Sequence, residues 1–555
     1  MKRLKIFAWT AAALITLNGC ENNFDPEIYG SLFPGNFPST EAEYETYAMT
    51  CYLPFTNTWT YYIGDSGTQH SFYIPEGGVI RMFDSPSDAM APWLVGGFGE
   101  WAELSKANFN NTYYYQRGWV GENNPCHIGK LSQITRFTEI ISRLETASAD
   151  ILSDSKRKQL LGEVHICRGL MMYYLLHIYG PVPAVLNPDD VINDAVLENL
   201  VRPTLDEMCG WIAADFEEAI RKLPETVSEQ GRYTADYARF CLMKHCLNEG
   251  SHMTDYYKRA LEMYDELNTG KYSLFKQGTN PFKEMFYAKN DFSCEIIMAL
   301  SCAPGADGGS QNGNFFPLMM LATPSDASKK NGDGSPSPFA NQGGGWMRTP
   351  FNVAPTLYDS YDEKDQRREV ILSEYWIKAD PSDSGIPTQK RGKEDIGISW
   401  DGYIINKFPI ENPDGFQAND VPLARWADVL LMMAEAEVRQ SNAAPSTAAV
   451  QAVNDVRSRA GLGGLSAEQT ASKDAFLDAI LEERAKEFLY EGMRKIDLIR
   501  FNKYAQACYK AKKIKPTHQY MPLPNYIVEQ AKNYGKTLEQ TYTRPGWEAD
   551  LSAAR

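Results

Sequence analysis

The sequence has nothing long enough to cross a bilayer. A membrane span needs about 20 consecutive apolar residues. The apolar run near the start, Ile6 to Leu17, is shorter and is interrupted by Thr10 and Thr16, and no later segment approaches that length. Positive charge is also scarce. The 55 Lys and Arg face 71 Asp and Glu, a formal net charge of −16. That balance argues against nucleic acid and anionic lipid as ligands, because both need clustered basic side chains. The ten cysteines are scattered, with no CxxC and no paired zinc spacing. A disulfide between Cys294 and Cys302 has nothing to support it. Cys241 and His245 stand four apart on a predicted helix, but two ligands do not make a metal site. The seven histidines form no compact cluster, and His165 and His177 flank an apolar stripe and read as structural. Neither G-x-S-x-G nor H-E-x-x-H occurs. Gly343-Gly344-Gly345 is no phosphate loop, since no Lys-Ser/Thr and helix follow it. No catalytic, cofactor or metal motif is expected.

The start of the chain carries a signal instead. Lys2, Arg3 and Lys5 precede the apolar run, and Leu17-Asn18-Gly19-Cys20 follows it. A basic start, a short apolar core and a small-residue cleavage site predict a secretory signal over 1–19. The sequence around Cys20 resembles a bacterial lipobox, in which the cysteine becomes the acylated N-terminus. Such a protein sits on a membrane without crossing it. Residues 20–40, rich in Asn, Pro, Gly and acidic side chains, predict a lipid-anchored tether leading into an extended entry strand.

Helical periods dominate the body. Leu160, Val164, Cys167, Met171, Tyr174 and Ile178 recur at three- and four-residue steps, and Gly180-Pro181 ends that run. Thr204-Leu205-Asp206-Glu207 is a capping-box pattern, continued by Met208, Ile212, Phe216, Ala219 and Leu223. A helical pair is predicted over 234–249 and 254–269, with Gly270 as its terminator. Further helices are predicted near 424–439, 446–460 and 473–490. Between these groups, 301–350 is dense in Gly and Pro and predicts a long excursion of loops with short strands. The end from Tyr520 is Pro-rich and predicts irregular chain. Paired amphipathic helices suggest a helix-hairpin repeat scaffold, although their spacing is uneven for a strict 34-residue period.

Aromatic residues are unevenly placed. Eighteen lie between Tyr44 and Trp119. Trp59, Tyr61, Tyr62, Trp93 and Trp101 stand among Gly, Pro, Asn and Asp, away from the helical stripes. A sugar ring has an apolar face and a rim of hydroxyls. An aromatic platform covers the face, while Asp, Asn or Arg bonds the rim. Trp93, Trp101 and Tyr62, with Asp84 as a polar partner, form one candidate cluster. Trp346 and Arg348, in the glycine-rich excursion, form the second. Glu482, Glu483, Glu487 and Glu491 share one helix, where a charged or inter-helix face explains them better than the opposed carboxyl pair a glycosidase requires.

Four segments of the second half are identified with a family. Pro422-Leu423-Ala424-Arg425-Trp426-Ala427-Asp428-Val429-Leu430-Leu431-Met432-Met433-Ala434-Glu435-Ala436 resembles the R-x-A-D-x-L-L-x-x-A-E-A helix of the SusD/RagB surface lipoproteins. Val453-Asn454-Asp455-Val456-Arg457-Ser458-Arg459-Ala460-Gly461 is similar to that family's V-N-x-V-R-x-R-A-G segment. Glu482-Glu483-Arg484, Glu487, Glu491-Gly492, Arg494 and Asp497-Leu498 resemble its E-E-R…E…E-G-x-R…D-L helix. Pro522-Leu523-Pro524 stands where P-I-P is usual. In the first half, Gly180-Pro181-Val182-Pro183 resembles the family's G-x-V-P turn. The resemblance implies a mainly α fold, a TPR-like superhelix packed against an irregular, loop-rich region. Within it, 41–290 would be the N-terminal part and 291–555 the C-terminal part carrying the 301–350 insertion. It also implies a non-catalytic protein that captures oligo- or polysaccharide at the outer membrane for a SusC-like, TonB-dependent transporter. Trp426 and Trp547 lie in family-wide segments and look structural. The alternatives are a surface glycoside hydrolase, which would need an opposed carboxylate pair, and a TPR-like protein-binding scaffold, which would bury the loop tryptophans.

Overall fold

The computed structural model describes residues 37–56, 61–62, 68–69, 71–73, 78–92, 103–111, 128–191, 201–303, 314, 326–340, 352–392, 402–411 and 417–555. The signal, Cys20 and nearly all of the tether lie outside these residues. The first described helix is α1 (Glu41–Met49), which Thr40 caps by accepting the Glu43 N–H. Next come α2 (Leu131–Thr146), α3 (Asp154–Tyr179), α4 (Leu205–Lys222), α5 (Ala235–Glu249) and α6 (Tyr256–Leu267). Each packs on the one before it. The stripe predicted on α3 is core: Leu160, Val164, Cys167 and Met171 are fully buried. Gly180 ends the helix with φ +77, a conformation glycine adopts without strain. The capping box at Thr204 and Glu207 is present, and Met208, Ile212, Phe216 and Ala219 turn inward. α6 stops at Leu267 with Asn268 as its cap, so Gly270 (φ +86) belongs to the following turn rather than to the helix end.

The helical array does not stop at the long middle segment. α6 packs directly on α7 (Trp426–Ser441), which packs on α8 (Thr447–Arg459) and α9 (Lys473–Glu487). The two groups of helices that the sequence separates therefore form one continuous superhelix, and the mainly α, TPR-like fold is observed. Ala449, Val453, Val456 and Ala460 form the buried stripe of α8. The chain finishes with α10 (Arg494–Arg500), α11 (Tyr504–Lys512), α12 (Asn525–Asn533) and α13 (Trp547–Ala553). The Pro-rich end is thus less irregular than its composition predicts: Pro524 immediately precedes α12, where its fixed φ suits a helix start. Trp426 stacks near Tyr264 and Tyr272, and Trp547 near Tyr504. Both indoles are buried.

The middle of the chain supplies short antiparallel strands. β1 (Tyr61–Tyr62) pairs with β2 (Thr68–Gln69), and β3 (Ile296–Leu300) pairs with β9 (Val421–Arg425). β4 (Asn352–Val353), β5 (Ile371–Leu372) and β8 (Tyr403–Ile405) form a three-stranded sheet in the order β4-β8-β5. β6 (Glu374–Trp376) pairs with β7 (Lys390–Gly392). Among the described residues of 301–350, only isolated bridges occur, at Asn314, Ala327 and Lys330. Cys294 and Cys302 are both free, so no disulfide joins them.

Where α8, α9 and the β3–β9 pair meet, charge is buried. Glu487 accepts hydrogen bonds from Arg425 (2.8 Å), Arg367 (3.1 Å) and Arg459. Glu295 accepts from Arg425 and Arg459, each at 2.8 Å. Glu491 accepts from Arg425 and from Lys407, each at 2.6 Å. A second set joins Arg484 to Asp428 (2.6 Å) and Asp497 (2.8 Å), and Arg500 to Glu435 (2.8 Å). Burial alone would protonate Glu487, but Arg459, Arg425 and Arg367 hold its carboxyl well below the usual carboxylate range. Removing Glu487 takes one buried partner from each of three arginines and leaves excess positive charge in the interior. Glu487→Ala is therefore expected to lower the unfolding free energy by about 3–5 kcal/mol, while Glu482→Ala, on the exposed face of the same helix, should change it by less than about 0.5 kcal/mol. Denaturant unfolding of the two variants checks this; equal effects would show that the network is not a determinant of stability.

Candidate functional site

Asp84 begins the site, in a role the sequence does not suggest. It is buried. Its carboxylate accepts the backbone N–H groups of Gly492 (2.9 Å), Met493 (3.1 Å) and Arg494 (3.0 Å), where α10 begins. Burial pushes its carboxyl up to about 7 against the pull of these amides. As a candidate partner for a sugar hydroxyl it is thereby corrected: its oxygens face the chain and are occupied. Further contacts pin the segment that follows. Arg494 donates to both oxygens of Asp88, at 2.8 and 2.9 Å. Tyr504 donates its hydroxyl to the Pro86 carbonyl (3.0 Å), and Lys512 donates to the carbonyls of Ser85 (2.8 Å) and Ser105 (2.7 Å).

Fixed in this way, residues 89–91 pair with the start of the β4 region. The Ala91 N–H donates to Asn352 O (2.8 Å), the Ala354 N–H donates to Ala89 O (2.9 Å), and Met90 bridges Val353. β8 flanks β4 on its other side, and Gly402 reaches the same place. A Cβ added at Gly402 would lie 2.6 Å from Val353 O and 2.8 Å from the Ala91 Cβ, so only glycine lets the three backbones approach this closely. Segments 93–102, 341–351 and 393–401 therefore each have one end at this junction, a shared root. The far end of 93–102 is held too, since Thr517 donates its N–H to Ala107 O (3.0 Å).

Trp93, Trp101, Trp346 and Arg348 lie outside the described residues, within two of these segments. Tyr62 is in β1, paired with Thr68, and its side chain is not described. Sequence reading therefore picks two segments that share a root. It misses the third, which contains Trp400 two residues before Gly402. Trp400 belongs to neither the aromatic-dense stretch nor the glycine-rich run, and only the pairing of β8 with β4 brings its segment here.

A separate cleft of about 750 Å³, its open mouth included, lies between α3, α5 and the turn at 490–493. Tyr73, Tyr174, Tyr237 and Phe240 form one wall, Phe408, Leu423 and Tyr490 another, with Lys244 and Glu491 as its charged groups. The hydroxyls of Tyr73 and Tyr174 are 3.0 Å apart. Both charges are already engaged, Lys244 with Asp428 (3.2 Å) and Glu491 with Arg425 and Lys407. The four glutamates considered as carboxylate catalysts divide likewise. Glu483, Glu487 and Glu491 sit in the ion network, and Glu482 is exposed. Glu487, whose carboxyl the arginines hold well below the usual carboxylate range, stays ionised and cannot supply the proton that glycoside cleavage requires.

Comparison with known proteins agrees with this architecture. Residues 294–549 match the model described as the SusD family, and residues 99–239 match one described as starch-binding, associating with the outer membrane. The SusD-like protein P2 of Formosa agariphila is 25% identical over 371 residues, 64% of this chain and 68% of its own. A SusD-like protein of Bacteroides ovatus is 22% identical over 392 residues, covering 68% of this chain and 65% of its own. Among solved structures, a laminarin-binding SusD-like protein superposes with a TM-score of 0.65 at 19% identity, covering 91% of this chain and 100% of its own. The surface glycan-binding protein A of Bacteroides thetaiotaomicron superposes with a TM-score of 0.66 at 18% identity, covering 91% and 99%. That protein in complex with laminarihexaose gives a TM-score of 0.65, covering 91% and 100%. The motif segments, the continuous helical array and these likenesses converge: the chain belongs to the SusD/RagB family.

Proposed function

We propose that this protein is a non-catalytic glycan-binding lipoprotein, anchored at the outer membrane through acylated Cys20, that captures oligo- or polysaccharide for a SusC-like, TonB-dependent transporter. The shared root of 93–102, 341–351 and 393–401 carries the reading. One end of each segment is fixed at that root on an ion-linked body, and between them the segments hold Trp93, Trp101, Trp346, Arg348 and Trp400. Aromatic faces with a cationic hydrogen-bond donor are what a sugar ring and its hydroxyl rim require. The laminarin and laminarihexaose named for solved relatives support carbohydrate as the ligand class. A hydrolase reading loses support from the arginine-bound glutamates.

A ring stacked on a sugar buries apolar area at a central contact, so Trp93→Ala, Trp101→Ala and Trp346→Ala should each weaken glycan binding by about 1–3 kcal/mol. Their melting temperatures should stay near that of the parent. A glycan array followed by calorimetry on the best glycan decides it. If all three bind like the parent, the site lies elsewhere; if all three unfold, the tryptophans are core.

Gly402→Ala tests the root rather than the ligand contacts. The new methyl group overpacks the junction, at a cost of about 1–3 kcal/mol of stability. Glycan affinity should fall even though residue 402 carries no ligand-binding side chain. An unchanged affinity in a destabilised variant would separate the root from the site.

Location and partner are tested together. Cys20→Ala should move the protein from the membrane fraction to the soluble fraction. Mild-detergent capture of the native protein should recover a TonB-dependent transporter across a large interface. Retention of the Cys20→Ala protein in the membrane, or recovery of this chain alone while other outer-membrane complexes survive, overturns the corresponding part.

A further inference from the structure

Away from the segment root, the ends of three helices place metal-ligating groups together. Cys209 lies in the second turn of α4, Glu249 is the last residue of α5, and His252 follows just beyond it. Their ligand atoms all lie within 4.8 Å of one another. We propose that Cys209, Glu249 and His252 form a binding site for a divalent transition metal of the zinc class, with His177 as the adjacent fourth donor.

The donor set selects the metal. A thiolate, an imidazole and a carboxylate suit a borderline-soft ion such as Zn²⁺ or Co²⁺, whereas Ca²⁺ and Mg²⁺ favour oxygen ligands throughout. The second observation is His177 on α3. It is 3% exposed, and its Nε2 has no hydrogen-bond partner. That nitrogen points at the cluster, 4.0 Å from Glu249 Oε1. A buried ring nitrogen left unpaired carries a desolvation cost that a metal ion would remove.

The surrounding groups orient the ligands. His252 Nδ1 is 3.0 Å from Asp206 Oδ1, which aims Nε2 at Glu249 Oε2, 2.8 Å away. A carboxylate bonded to the far nitrogen of a histidine is the usual support for a metal-bound imidazole. Arg544 holds the Glu249 carboxylate in place with contacts of 2.8 and 2.9 Å. The C-terminal carbonyls of α5 add partial negative charge beside the cation. Metal binding sends the Cys209 thiol proton to solvent as the metal–sulfur bond forms, and His252 binds through an unprotonated Nε2 with its ring proton on Nδ1, facing Asp206. A sulfur-to-metal charge-transfer band therefore reports a bond to Cys209. Bound there, the ion would tie the ends of α3, α4 and α5 to the segment carrying Arg544.

Titration of the intact protein with Co²⁺ tests the site. One equivalent should bind with a near-ultraviolet thiolate-to-cobalt charge-transfer band and the visible bands of a tetrahedral ion, and Zn²⁺ should displace it. Cys209→Ser should abolish the charge-transfer band. His252→Ala should weaken binding by at least about tenfold, and Zn²⁺ should raise the melting temperature of the parent but of neither variant. His252 is exposed, so its replacement spares the fold and carries the test should Cys209→Ser fail to fold. A Co²⁺ complex without the thiolate band, a band that survives in Cys209→Ser, or parent-like affinity in His252→Ala would each overturn the proposal.

Discussion

A buried carboxylate must find cations, and Glu487 finds three. Arg367 comes from the turn before β5, Arg425 from the end of β9, and Arg459 from the last turn of α8. Glu295, just ahead of β3, then shares Arg425 and Arg459. The four elements cannot move apart without exposing a charge to apolar surroundings, a cost of several kcal/mol per ion. This constraint fixes how β3 and β9 meet α8 and α9. Through Asp428, Arg484, Asp497, Arg500 and Glu435 it extends to α7 and α10. Asp84 and Asp88 then dock the N-terminal segment onto α10.

The same charges explain why part of the protein was legible in its sequence. The segments that resemble the family carry the network members: Arg425 and Asp428 in one, Arg459 in another, Glu483, Arg484, Glu487, Glu491 and Asp497 in the third. Each is a short local string, because successive turns of a helix offer charges to successive partners. Helix periods and caps were legible for the same local reason, as at Thr204 and Gly180. What escaped is non-local. Asp84 sits among serines and a proline, which suits a loop residue that bonds a sugar. Its partners lie 408 to 410 residues downstream, and no pattern around position 84 announces them. The continuity of the superhelix was hidden likewise, since α6 meets α7 only across the middle of the chain.

The shared root is the clearest such case. β4 and β8 are two and three residues long, too short for a period-2 alternation to be read. Their pairing depends on Gly402 having no side chain, a property that one glycine among 41 does not advertise. Density scans therefore find the aromatic-rich and glycine-rich stretches, each by its own composition, but not that they leave the body side by side with a third.

These two layers divide the work. In the described body, the network carboxylates Glu483, Glu487, Glu491, Asp428 and Asp497 are bound to arginine or lysine and directed inward. Such groups hold a shape. Recognition of a sugar asks for little from that body beyond a stable base, because ring faces and hydroxyl donors can be carried on segments of varied length and sequence. The superposition on solved relatives at 18–19% identity is consistent with this separation. A fold specified by a small set of charges and apolar stripes persists while the remainder of the sequence, and with it the ligand-facing chemistry, is free to diverge.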